Sequence, residues 1–189
     1  MATSEVAIAN RALQKLGASR ISSLTQDDPN ARSMNAAFDL VRDAELRRYD
    51  WSFAIKRESI AADATDTTWG DWNRYPLPND FLKLIRDDES ESNLDWRIEG
   101  LYIVTADASP LEIRYVARVE DANYYDALFI EAFACKLALE CCEEVTQSTS
   151  KKESIKDDYD KAVAEARRLG AIEKPAMVFP EDEWLAARR

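Results

Sequence analysis

The hydrophobic period of this 189-residue chain changes twice, and that limits the fold more than any other feature. Before residue 50 apolar side chains recur at helical spacing; from 51 to about 119 they alternate; after 120 helical spacing returns. A period near 3.6 buries one stripe of a helix, whereas a period of two buries one face of a strand. The chain therefore reads as helices at both ends with a sheet between them, an α+β arrangement and not an alternating α/β one.

Ser4 caps a first helix over residues 5–16, with Val6, Ala9, Leu13 and Leu16 as its stripe and Gly17 as its stop. Asp28-Pro29 starts a second, with Asp as N-cap and Pro in the first turn. It runs to about 49, turning Ala31, Met34, Phe38, Val41 and Tyr49 inward, with Arg42 and Glu45 on that same side. A third helix covers about 124–146 and a fourth about 152–169, the latter striped by Ile155, Tyr159, Ala162, Ala166 and Leu169 before Gly170. On the third helix Lys136, Glu140, Glu143 and Glu144 mark a polar side. Phe129 and Phe133 fall on or near that side, so they read as exposed aromatics suited to a subunit contact.

Between the helical ends, Trp51, Phe53 and Ile55 alternate with Ser52, Ala54 and Lys56, which predicts a strand from residue 51. The segment Tyr75-Pro76-Leu77-Pro78 is too proline-dense for a helix or a central strand. FLKLIRD, LDWRIE, LYIVTA and LEIRYVARV follow as four short strands, with a hairpin over 94–105 turning at Glu99-Gly100. Short connections require antiparallel pairing. The expected organisation is a four-helix bundle-like core from residues 1–50 and 121–170, a small inserted antiparallel sheet over 51–120, and an extended C-terminal arm over 171–189. The arm is broken by Pro175 and Pro180 yet keeps Met177, Val178, Phe179, Trp184 and Leu185, unlike an ordinary solvated tail.

The chain has no histidine, which removes Ser-His-Asp and Cys-His catalysis and most zinc sites. Four glycines leave little from which to build a phosphate-binding loop, and neither a cofactor nor a metal is expected. A net charge of −11 argues against holding nucleic acid by its phosphates. The opening segment lacks a basic stretch followed by an apolar run, so it reads as no signal peptide, and no apolar run is long enough for a membrane span. Cys135, Cys141 and Cys142 form neither a C-x-x-C pair nor a disulfide framework, and read as small buried residues. The acidic run at 87–91 lacks the spacing of a calcium loop and reads as a solvated hairpin loop. Trp69, Trp72 and Tyr75 have only Arg74 among them, too little charge for a base-stacking groove. Glu131 falls within the apolar arc of the third helix, where an unpaired carboxylate is costly; Arg42 is its expected structural ion-pair partner.

Three segments together resemble a known family. They are Ala7-Ile8-Ala9-Asn10-Arg11-Ala12-Leu13-Gln14-Lys15-Leu16-Gly17-Ala18; Asn35-Ala36-Ala37-Phe38 through Arg42-Asp43 and Leu46-Arg47 to Trp51-Ser52-Phe53-Ala54; and Phe129-Ile130-Glu131-Ala132-Phe133-Ala134, followed by a Ser/Thr-rich break and another helix. In this order and spacing they resemble the tail tubular protein A family, the head-to-tail adaptors of short-tailed bacteriophages. The resemblance implies a non-enzymatic virion protein, assembled in the host cytoplasm, that forms a ring with itself, expected to be dodecameric. Such a ring joins the portal to the tail nozzle protein, and DNA passes through without specific binding. Phe129, Phe133, Met177, Phe179, Trp184 and Leu185 are then the candidate interface residues, the arm anchoring on the portal or a neighbouring subunit. The alternatives are a carboxylate-dependent polysaccharide hydrolase, which needs a second carboxylate facing Glu131 across a cleft, and an acidic cellular protein-interaction module.

Overall fold

A computed structural model of the chain describes residues 3–64, 72–85 and 96–172. Its order is α1 (Glu5–Leu16), α2 (Pro29–Arg48), a 3₁₀ turn at Ser52–Ala54, then β1 (Ile55–Ile60), β2 (Asn73–Pro76), β3 (Phe81–Leu84), β4 (Trp96–Glu99), β5 (Tyr102–Thr105) and β6 (Leu111–Ala117). A 3₁₀ turn at Ala122–Tyr124 leads to α3 (Ala127–Thr146) and α4 (Thr149–Ile172). The fold is α+β.

Local chemistry sets the helix ends. The Ser4 side chain accepts from the Ala7 N–H, and Gly17 closes α1 at φ 76°, a left-handed conformation that glycine enters without a Cβ clash. Asp28 accepts from the N–H groups of Asn30 and Ala31 above Pro29. Asp126 does the same for Leu128 and Phe129 at the start of α3. Gln147, at φ 53°, ends α3 and lets the chain double back into α4. The fourth helix starts earlier than expected and passes through Gly170, where no neighbouring atom lies against the missing Cβ.

Two of the strand expectations are corrected. The strand predicted from Trp51 begins only at Ile55, because residues 52–54 wind into a 3₁₀ turn. Both aromatic rings are drawn to one neighbour: Trp51 lies 5.0 Å and Phe53 5.1 Å from the Phe129 ring, edge to face. The Trp51 Nε1–H also donates to the Glu45 carbonyl at 2.9 Å. Spacing of two thus arose from a turn. In place of one sheet the described residues form two, ordered β1-β6-β3 and β2-β5-β4, all antiparallel. The extra strand, β2, contains Tyr75 and Pro76. It is an edge strand, where a missing N–H disturbs no inner ladder. The β4–β5 hairpin turns at Gly100, φ 62°.

The β6 strand links the two halves of the core. Leu111, Ile113, Tyr115 and Ala117 face the second sheet and pack with Tyr75 and Ile103. Val116, on the opposite face, joins Leu82 and Ala54 in the helical cluster, whose largest members include Ile8, Leu13, Met34, Leu46, Phe129, Phe133 and Leu137. The third helix packs against the other three helices. No helix among the described residues is long and apolar enough to cross a membrane.

Candidate functional site

Polar residues of the first and third sequence segments are tied to one another inside the fold. Asn10 clamps the loop after α1: its side-chain amide donates to the Ile21 carbonyl at 2.9 Å, and its carbonyl oxygen accepts from the Ile21 N–H at 2.8 Å. Arg11 and Lys15, one helical turn apart, converge on Glu131 of α3. The guanidinium makes two bonds of 3.1 Å and the Lys15 ammonium stands at 2.6 Å. Burial pushes the Glu131 carboxyl up, but the bonds from Arg11 and Lys15 outweigh it and hold it below the usual carboxylate range. A general acid needs the opposite shift.

The expected Arg42–Glu131 pair is therefore corrected. Arg42 is buried, but it binds Asp39 and Asp43 of its own helix, each at 2.9 Å. Asp43 in turn holds Arg118, beyond β6, at 2.7 Å. Arg11 and Lys15 form a basic pair at helical i,i+4 spacing, but that this face meets α3 is decided by the packing of α1 on α3.

Phe129 and Phe133 are also corrected: both are fully buried. Phe129 is enclosed by Trp51, Phe53 and Tyr125, and Phe133 meets Phe38 at 5.0 Å. The polar side of α3 lies in its later turns, whereas the first turns are covered by elements from before β1. Neither ring is available to a second subunit in this fold. Met177, Phe179, Trp184 and Leu185 lie outside the described residues, as do Trp69 and the acidic run at 87–91. Tyr75 is core, its hydroxyl donating to the Asp107 carbonyl at 2.8 Å, and Arg97 stacks over Trp72 at 4.7 Å. The three cysteines are free and buried.

One polar centre escaped the sequence reading. Glu45 is 1% exposed, and its carboxylate accepts the Tyr159 hydroxyl at 2.9 and 3.0 Å from its two oxygens. Arg48 donates to that same hydroxyl at 2.6 Å and lies 3.6 Å from Glu45. Burial pushes the Glu45 carboxyl above its ordinary range, against the opposing pull of Tyr159 and Arg48. An inward Glu on one predicted stripe and a Tyr on another were the available signals.

The surface keeps several large apolar points. Leu40 on α2 is 75% exposed, Leu101 at the β4–β5 tip 76%, and Tyr124 68%, with Ile98 also exposed beside Leu101. A cleft of about 350 Å³ opens where α2 ends, α3 begins and α4 finishes, lined by Tyr49, Trp51, Phe53, Leu128 and Leu169, with Arg167 on its rim. Asp50 and Asp126 also border it. Asp126 is engaged as the α3 cap and Asp50 pairs with Lys83 at 2.5 Å. Among the described residues no group of three or more Cys, Asp or Glu side chains is placed to hold a metal ion. Compared with known proteins, the sequence matches no family model, and no curated protein matches it significantly.

Proposed function

We propose that this chain is a non-enzymatic structural subunit of a phage virion, a head-to-tail adaptor that assembles into a ring between portal and nozzle. The helices act as a four-helix bundle-like core, the two sheets as an inserted subdomain over 51–120, and residues 171–189 as an arm. The observation that carries the reading is the mutual engagement of the motif segments. Arg11 and Lys15 of the first meet Glu131 of the third, and Trp51 of the second covers Phe129. Those residues are consumed in building a scaffold, as befits a protein whose function is shape. Leu40, Leu101, Ile98 and Tyr124 replace Phe129 and Phe133 as the points offered to neighbours. Two of them, Ile98 and Leu101, crown a hairpin, a shape suited to insertion into an adjoining copy.

The acidic balance fits a channel wall past which DNA slides, because like charge leaves no counterions to release and no phosphate grip. A heterologous contact repeated around an axis closes into a ring when the rotation allows. Electron microscopy of the purified protein mixed with the portal protein from the same virion tests the reading. A ring of additional density stacked on the portal is expected. Portal particles that stay bare at saturating protein would overturn it.

A further inference from the structure

We infer that the cleft between the end of α2, the start of α3 and the last turns of α4 is the seat of the chain's own arm, residues 177–179. Tyr49, Trp51, Phe53, Leu128 and Leu169 are each left half-buried around a cleft large enough to take an aromatic ring. Large apolar side chains gathered round a concavity lose most by remaining wet. The apolar group nearest in the chain is Met177-Val178-Phe179, and the connection to it is short.

Position favours this occupant. The cleft reaches Gly170, two residues before α4 ends at Ile172. In sequence, residues 173–176 separate the helix end from Met177. Five residue steps span up to roughly 17 Å when extended, ample for the chain to turn back over the last turn of α4. A tether this short gives an effective concentration on the order of millimolar, which a second molecule in dilute solution does not match.

Charge points the same way. Glu181-Asp182-Glu183 follow directly after Phe179-Pro180. Arg167, whose guanidinium stacks 4.3 Å from the Tyr49 ring, stands on the α4 side of the cleft to receive them. Seating residues 177–179 assigns Phe179 to its own subunit. Trp184 and Leu185, beyond the acidic run, are left to reach a partner from a fixed starting point. The inference does not depend on the adaptor reading, since it concerns the isolated chain.

Ser52→Cys places a thiol on the exposed rim of the cleft in the full chain, and its modification by a maleimide reports whether the cleft is covered. The three buried native cysteines serve as a control, remaining unmodified while the fold is intact. Adding Phe179→Asp to this background is expected to speed labelling of residue 52 about tenfold, the change for a cleft occupied about nine-tenths of the time. Leu128→Cys gives the same comparison from the floor of the cleft. Protection independent of protein concentration supports docking within one chain. Protection that grows with concentration would assign the cleft to a neighbour's arm, and equal labelling with and without Phe179→Asp at both positions would show the cleft empty; either result overturns the inference.

Discussion

Replacing Tyr159 by Phe removes one oxygen from a buried polar centre. Glu45 and Tyr159 are 1% and 4% exposed, and the hydroxyl is shared between both carboxylate oxygens. One proton makes one bond's worth of interaction. Without it the carboxylate retains the charge of Lys136 and of Arg48 at 3.6 Å, the latter a side chain half exposed and free to swing closer. A hydrogen bond to a charged group contributes about 1.5–3 kcal/mol, and partial rescue by Arg48 places the expected loss near the lower end, about 2 kcal/mol. Urea unfolding should show a midpoint lowered by about 1 M with an unchanged slope. In a chain of this size the melting temperature should fall by roughly 4–8 °C.

The pH dependence separates this account from simple loss of packing. Burial raises the folded-state pKa of Glu45 above its unfolded value. The folded protein thus binds the proton more readily, and the contribution of Glu45 to stability is highest at low pH and falls as pH rises through the raised value. The Tyr159 hydroxyl counteracts that rise by favouring the ionised form. Its removal should therefore cost more above the raised folded-state value, where the carboxylate is charged, than below the unfolded-state value, where it is protonated in both states. A Tyr159→Phe deficit under about 0.5 kcal/mol, or one equal on both sides of that range, would refute the reasoning.

Glu131 should behave in the opposite sense. Arg11 and Lys15 hold its folded pKa below the unfolded value, so its contribution is present above the ordinary carboxylate range and lost as pH falls through the depressed value. Glu131→Gln should flatten that part of the acid-unfolding curve and, for a partly exposed group, cost no more than about 1 kcal/mol at neutral pH, less in high salt. A steeper acid limb in the variant contradicts the pairing. Phe129→Ala should cost about 3–5 kcal/mol through the cavity left beneath Trp51, Phe53 and Tyr125, read by denaturant unfolding; a change below about 1 kcal/mol would restore an exposed Phe129. Leu101→Ser should alter monomer stability by less than about 0.5 kcal/mol while reducing ring formation on the portal in sedimentation or electron microscopy, and unchanged assembly would remove the hairpin tip from the interface.

The boundaries of the first two helices were legible because they depend on neighbours in sequence. Ser4, Gly17, Asp28 and Pro29 act within one turn of the backbone they cap, and the periodic stripes of Leu13, Met34, Phe38 and Tyr159 became core in the fold. The β4–β5 hairpin was readable for the same reason, through Gly100. Trp51 and Phe53 misled because two aromatics spaced by one residue imitate a strand when a 3₁₀ turn points both at Phe129. Tyr75-Pro76 became a strand only because an edge position was waiting beside β5.

The helix–sheet–helix order, the caps of the first two helices, the buried cysteines and the absence of histidine chemistry thus belong to the sequence, since each follows from residue type and short-range spacing. Which side chains meet across the fold belongs to the tertiary structure. A helical wheel shows the faces of a helix about its own axis, but not how many of those faces the rest of the chain covers. Phe129 was buried by elements placed nearly eighty positions earlier, Glu131 was claimed by Arg11 over a separation of 120 residues and by Lys15 beside it, and Arg42 settled on its own helix. Contacts at such separations depend on packing that no local pattern encodes.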